Sequence, residues 1–227
     1  MIYAIIIILL LALAFGPQLW VQSVLKRYNR KPEVNFPGTG GELARHLLNR
    51  YDLREVKVEV TEAGDHYDPL ERCVRLTQDK FDGKTLTAIT VAAHECGHAL
   101  QHAASEPLFL LRTRLARTTL WAQRIGSLLL FAAPFAVILT KAPSVAAFNI
   151  AGAFLMMGST VVIHLLTLPV EIDASFRKAL PLLDSGYLDK SQMPAARSIL
   201  RAAAWTYVAA SLASLLNFWR WIAILRR

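Results

Sequence analysis

The chain has 227 residues, 54% of them hydrophobic, and carries a net charge of +8. This composition is too apolar for an ordinary soluble domain of this length, and it predicts a membrane protein with a modest water-facing part. The positive charge is concentrated beside the apolar stretches, which argues against a nucleic-acid-binding function.

Four apolar stretches approach or exceed the length that a helix needs to cross a bilayer. They are Ile2 to Leu25, Ile125 to Thr140, Val145 to Val170 and Ala202 to Leu225. Sixteen of the 25 Lys and Arg residues lie between residues 23 and 124, and five more lie between the third and fourth stretches. The positive-inside rule therefore predicts that both segments are cytoplasmic. Residues 108–124 are predicted to form a basic interfacial helix.

Basic residues follow the first stretch and do not precede it, which favours an uncleaved anchor over a secretory signal.

Local patterns predict a small helix and two strands after the first apolar stretch. Thr39-Gly40-Gly41-Glu42 is a capping box for a helix that reaches about Asn49. Residues 56–60 alternate in the manner of a strand, residues 64–69 are typical of a turn, and residues 73–77 predict a second strand. Cys73 and Cys96 are the only cysteines, and in a cytoplasmic domain we expect both to be reduced thiols.

A helix predicted for residues 83–104 contains the sequence His-Glu-Cys-Gly-His at positions 94–98. On a helix, His94 and His98 are one turn apart on the same face and can bind one cation. Glu95 lies beside the pair, where a general base can take a proton from water held by the metal. The sequence therefore predicts a zinc site of the HExxH type.

Two residues compete for the role of third ligand. Glu171 is favoured, because it falls where the third apolar stretch should emerge on the same side as the motif, and Pro169 suits the first turn of a helix there. His102 is the alternative. On an unbroken helix it lies about 12 Å from His94, so it could bind the same metal only if the helix broke after His98.

Three segments together resemble the YugP-type membrane zinc metallopeptidases of bacteria, over nearly the whole chain. They are Ala92 to His102, Asp65 to Pro69 and Leu168 to Glu171. A more distant resemblance is to the HtpX-type membrane gluzincins, in which an edge strand precedes the HExxH helix and a later glutamate completes the site. These resemblances imply that His94, His98 and Glu171 bind Zn²⁺ and that Glu95 is the general base.

The resemblance also raises questions about the residues around the metal. HtpX-type enzymes have an aspartate four residues after the ligand glutamate, which orients a histidine, whereas this chain has Ser175 there. Asp173 is an alternative for that role, although an ion pair with Arg177 would also explain it. His66 and Tyr67 would lie near the cleft as donors to the oxyanion, or would be turn residues packed on the catalytic helix.

The fold class predicted is a mainly α membrane protein with about four transmembrane helices and a small α+β zincin-like catalytic domain that has a short edge strand. The expected domains are a transmembrane anchor (1–25), a cytoplasmic catalytic region (26–124), two transmembrane helices (125–170), a cytoplasmic helix with the third-ligand candidate (171–201) and a last transmembrane helix (202–227).

The function predicted is that of a zinc endopeptidase of the bacterial inner membrane, with its site on the cytoplasmic side. It would cleave membrane or membrane-proximal proteins, and residues 73–77 would pair with the extended substrate. Expected partners are a protein or peptide substrate and the lipid bilayer, but no nucleic acid, with a homo-oligomer or a membrane protease complex left open. The alternatives are a zinc-stabilised scaffold that does not cleave, and a transporter lined by Asn149 and His164, which so few intramembrane ionisable groups disfavour.

Overall fold

The computed structural model describes residues 2–29 and 36–206. The helices in these ranges are α1 (Ile2–Asn29), α2 (Gly40–Arg50), α3 (Gln78–Phe81), α4 (Leu86–Ala103), α5 (Pro107–Thr140), α6 (Pro143–Ile172), a π-helix (Asp173–Ala179) and α7 (Leu180–Asp184). Residues 193–206 are also helical. The strands are β1 (Lys57–Val60), β2 (His66–Asp68) and β3 (Cys73–Leu76). The described chain is thus mostly helical with one small sheet.

The prediction of about four transmembrane helices is wrong for the described part of the chain. Within it, no helix combines the length and the apolar character needed to cross a membrane. The prediction treated residues 125–140 as a separate span, but they are the second half of α5, which packs along α6. The first half of α5 carries four arginines. Most of the fourth stretch, residues 207–225, lies outside the described residues.

Helix α2 begins as its sequence predicts. The Thr39 side chain accepts a hydrogen bond from the Glu42 backbone N–H, and the Glu42 side chain accepts one from the Thr39 N–H, so the capping box is confirmed. The buried face of α2 includes Leu43, Leu47 and Leu48, which join the hydrophobic core. This core fixes α2 against α4, the helix that carries the HExxH motif.

The sheet has the strand order β1-β3-β2. β3 is the central strand, pairing in parallel with β1 and antiparallel with β2, and Cys73, Val74 and Leu76 within it are fully buried. The prediction that residues 73–77 form an edge strand available to substrate is therefore wrong. The turn predicted for residues 64–69 contains β2, a three-residue strand whose other edge faces away from β3.

Helix α4 lies at the centre of the molecule. It contacts α2, strands β2 and β3, and the π-helix. Its neighbours approach closely because small residues cover its surface: Ala88, Ala92, Ala93 and Ala99 are each at most 1% exposed. A close approach occurs at Gly97, where an added Cβ would lie 2.8 Å from the backbone oxygen of Ala174 in the π-helix.

Candidate metal centre

The two histidines of the motif lie on one face of an unbroken helix. The Thr85 side chain caps the start of α4 by accepting a hydrogen bond from the Ala88 N–H, and the helix then continues through Ala103. The ring centroids of His94 and His98 are 4.8 Å apart, and both side chains are buried. The one-turn spacing thus produces the convergence that the sequence predicts.

Glu171, in the last turn of α6, is the acidic residue that meets this pair. Its Oε2 atom lies 3.2 Å from His94 Nε2 and 3.3 Å from His98 Nε2, and the carboxylate is only 1% exposed. One ligand atom from each of the three residues lies within 4.8 Å of the others. The structure therefore brings together the three residues predicted as metal ligands.

His102 is held away from this cluster. Because α4 does not break after His98, His102 stays two turns from His94, and its Nδ1 atom lies 2.9 Å from the Tyr67 hydroxyl. Burial lowers the pKa of His102, which favours the neutral ring. His102 is therefore the hydrogen-bond partner of Tyr67 and lies outside the cluster of candidate metal ligands.

A hydrogen bond to Nδ1 fixes the orientation of each ligand histidine. Ser175 Oγ lies 3.1 Å from His94 Nδ1 and also bonds the Leu200 carbonyl at 3.3 Å. A hydroxyl has one proton, and a carbonyl only accepts, so Ser175 donates to Leu200 and accepts from the His94 N–H. Gln101 Oε1 lies 2.9 Å from His98 Nδ1. Ser175 is thus the residue that orients His94.

The donor set fits a zinc ion. Two imidazole nitrogens and one carboxylate oxygen, with room for water, make a common catalytic zinc site. The neutral form of each ring, with its proton on Nδ1, has its lone pair on Nε2, the atom that faces Glu171 Oε2. The second carboxylate oxygen, Oε1, makes no hydrogen bond but is paired with the Arg112 guanidinium. A cation among the two Nε2 atoms and Oε2 would satisfy all three.

The charge of Glu171 is set by its neighbours. Burial acts to raise its pKa, but the contacts with His98 and His94 and the charge of the Arg112 guanidinium hold the pKa well below its usual value. Arg112 Nη2 lies 3.3 Å from Glu171 Oε1. Nothing in the sequence pattern of the basic helix at 108–124 distinguished Arg112 from the other arginines there. The structure places it at the metal centre.

Glu95 lies beside the ligands and is also buried. Burial raises the pKa of Glu95 to about 7, and the nearby His94 opposes this shift while Glu171 adds to it. The side chain lines the cavity that adjoins the cluster, a space of about 230 Å³. A carboxyl group with a pKa near 7 exchanges protons readily at neutral pH, as a general base must.

His66 and Tyr67 line the same cavity, on β2. The His66 Nδ1 atom lies 2.8 Å from the Gly64 carbonyl, which only accepts, so Nδ1 carries the proton and donates it. Burial raises the pKa of Tyr67 to about 12, and its hydroxyl is bonded to His102. Both residues are near the cleft, and a direct role in the reaction stays a prediction.

The structure tests the prediction made for Asp173 but not the one made for His164. The ion pair predicted between Asp173 and Arg177 is present at 3.8 Å, and Asp173 also lies 3.5 Å from Lys178. It does not contact His94, whose Nδ1 partner is Ser175. The His164 side chain lies outside the described part of the structure.

A two-histidine, one-glutamate cluster beside a buried glutamate is the arrangement typical of zinc metallopeptidases with an HExxH helix. A family model described as "Putative neutral zinc metallopeptidase" matches residues 3–226, and the chain belongs to this family. A relative from Bacillus subtilis (strain 168), described as "Putative membrane protease YugP", is 34% identical over 227 residues, which cover 99% of this chain and 96% of the relative. No solved structure matches the chain. The predicted resemblance to YugP-type proteins and the prediction of zinc as cofactor are thereby confirmed.

Proposed function

We propose that this protein is a zinc-dependent endopeptidase in which His94, His98 and Glu171 hold the metal and Glu95 is the general base. The observation that carries the proposal is the meeting of three buried ligand atoms, within 4.8 Å of one another, at the wall of a cavity that Glu95 also lines. When bound, Zn²⁺ supplies Lewis acidity, which polarises the scissile carbonyl and lowers the pKa of a water molecule.

The protein's own residues perform the proton transfers. Glu95 accepts the proton of the attacking water and then donates it to the nitrogen of the leaving amine, so the carboxylate is regenerated in each cycle. Its burial supports this role, because a carboxyl with its pKa raised to about 7 can both accept and release a proton near neutral pH. Ser175 holds His94 in the orientation that ligation requires.

The substrate is proposed to bind as an extended segment along β2. Its neighbour β3 is paired on both sides, whereas β2 has one partner in the described sheet. His66 and Tyr67 of β2 line the cavity, so a segment that pairs with this strand runs past the metal ligands. Backbone hydrogen bonds to an exposed strand edge are a general way to bind peptides.

We further infer that the substrates are membrane or membrane-proximal proteins and that the site faces the cytoplasm. The relative from Bacillus subtilis is named a membrane protease. Helix α5 exposes Trp121 and Phe131 and carries several arginines near its start, a combination suited to anionic lipid headgroups.

The test compares the Glu95→Gln variant with the native chain. Zinc content is measured by elemental analysis, and cleavage is measured on an unfolded fluorescent protein and on a membrane protein in lipid. We expect equimolar zinc in both proteins and cleavage only by the native chain, because the amide cannot accept the proton. Glu62→Gln, at an exposed glutamate, is the matched control and should cleave normally.

Two outcomes would contradict the proposal. Cleavage by Glu95→Gln at the native rate would remove Glu95 from the reaction. Equimolar zinc in the native chain with no cleavage of either substrate would favour the non-cleaving scaffold.

A further inference from the structure

Gln101 is a buried polar residue one turn after His98 on α4. Its side chain is 1% exposed, yet it forms three hydrogen bonds within the protein. Its Oε1 atom lies 2.9 Å from His98 Nδ1, and its Nε2 atom lies 3.0 Å from the Val170 carbonyl and 2.8 Å from Asp173 Oδ2. The amide therefore uses both of its N–H donors and one lone pair of its oxygen.

The partners of Gln101 fix which way its amide points. The Val170 carbonyl can only accept a hydrogen bond, and the Asp173 carboxylate accepts as well, so the NH₂ group must face both. The amide oxygen then faces His98 Nδ1, which must carry the proton. The neutral ring of His98 consequently has its lone pair on Nε2, the atom that lies 3.3 Å from Glu171 Oε2.

The same amide also connects the two helices that supply the ligands. Val170 directly precedes Glu171 in the last turn of α6, and Gln101 holds its carbonyl from α4. Asp173, the third partner, is fixed in turn by Lys178, whose ammonium lies 2.7 Å from Glu106. One side chain thus contacts His98 directly and Glu171 through the adjacent peptide.

We propose that Gln101 is a positioning residue of the metal centre: it sets the tautomer of His98 and holds the end of α6 so that Glu171 meets both histidines. The proposal rests on the proposed function for the identity of the ligands. The alternative is that Gln101 only fills a buried space and adds stability. The two accounts differ in what happens to His98 when the amide is replaced.

The experiment uses three variants of the full chain. Gln101→Leu keeps most of the volume and removes all three hydrogen bonds. Gln101→Glu keeps an acceptor for His98 but loses both donors and sets a carboxylate against Asp173. Thr87→Val is the matched control, because it removes a buried hydrogen bond from the same helix, from Thr87 Oγ1 to the Leu25 carbonyl, without touching a ligand.

Two measurements are made on each variant. The tautomer of His98 is read in the metal-free protein from two-bond ¹H–¹⁵N correlation spectra, and zinc affinity is measured by competition with a chromogenic chelator. In the native chain and in Thr87→Val we expect a single His98 tautomer with the proton on Nδ1. Gln101→Glu should keep that tautomer, whereas Gln101→Leu should show a mixture.

Zinc affinity should fall by roughly 10- to 100-fold in Gln101→Leu, the usual effect of removing a residue that orients a ligand. Gln101→Glu should also bind more weakly, because Val170 and Asp173 lose their donor, and Thr87→Val should bind like the native chain. A pure Nδ1–H tautomer and native affinity in Gln101→Leu would overturn the proposal. Because the tautomer is measured without metal or substrate, its result is independent of whether the chain cleaves peptides.

Discussion

Replacing Gly97 with alanine tests the contact that brings the π-helix to α4. An ideal Cβ at position 97 lies 2.8 Å from the Ala174 backbone oxygen and 3.3 Å from Lys178 Cβ. The nearer atom belongs to the backbone, so the π-helix must move by roughly half an ångström to reach normal contact, and such overpacking costs about 1–3 kcal/mol. Alanine offsets this by about 1 kcal/mol through its better helix propensity. We expect a net destabilisation of about 1 kcal/mol.

The displacement should also weaken metal binding. Glu171 and Ser175 lie on either side of Ala174, so moving this backbone shifts a ligand and the partner of His94 together. Urea unfolding of the metal-free protein measures the stability, and chelator competition measures the zinc affinity. We expect the Gly97→Ala variant to bind zinc at least 10-fold more weakly than the native chain.

Gly152→Ala is the control for this prediction. Gly152 also lies inside a helix, but the nearest atom to an added Cβ is Leu129 Cδ1 at 3.7 Å, an ordinary contact. This substitution should stabilise the protein by about 0.5–1 kcal/mol. If Gly97→Ala stabilised the protein equally and left zinc affinity unchanged, the inferred contact between α4 and the π-helix would be wrong.

Three further predictions concern the metal centre and the sheet. Zinc at a hundred times its dissociation constant should raise the free energy of unfolding by about 2.7 kcal/mol, an increase that chelation reverses and that is absent in His98→Ala. Ser175→Ala should lower zinc affinity by roughly 10-fold with no loss of helix content by circular dichroism, because the His94 ring loses its orienting acceptor. Burial alone would raise the pKa of Asp68, but backbone N–H groups and Arg75 lower it below its ordinary value of 3.8. Its contribution to stability is therefore present above about pH 4 and is lost as the pH falls through the lower folded-state pKa, so Asp68→Asn should have a shallower acid unfolding profile.

The histidine pair and the helix that carries it could be predicted because both depend on local sequence. A four-residue spacing places two side chains on one helix face wherever the helix packs, and the capping box of Thr39 and Glu42 likewise involves only its own turn. The case against His102 was one geometric fact, that an unbroken helix separates it from His94 by too great a distance. Glu171 was favoured because it follows the third apolar stretch, an argument from the expected transmembrane topology and not from local geometry.

Features that depend on contacts distant in sequence could not be predicted. The order of the strands was missed because β2 has three residues and lies within a turn signal, so β3 read as the edge. Gln101 and Arg112 reach the metal centre only through tertiary contacts, of Gln101 with Val170 and Asp173 and of Arg112 with Glu171. The i,i+3 spacing of Gln101 from His98 was the one available signal.

The prediction of transmembrane helices failed for a different reason. Hydropathy counts apolar residues in a window but does not show where the helix that contains them begins. Residues 125–140 were taken for an independent span, although they continue the basic first half of α5 and pack along α6. A window of apolar sequence therefore could not show that the helix to which it belongs begins with a basic segment.

The short β2 strand limits how the proposed enzyme can choose what it cuts. A three-residue edge offers few backbone groups, and these recognise the peptide main chain, which is the same in every sequence. A folded segment, whose backbone groups are already paired, cannot occupy such an edge. Selection would then depend on whether a protein has locally unfolded, so damaged or unassembled chains would be cut before intact ones of the same sequence.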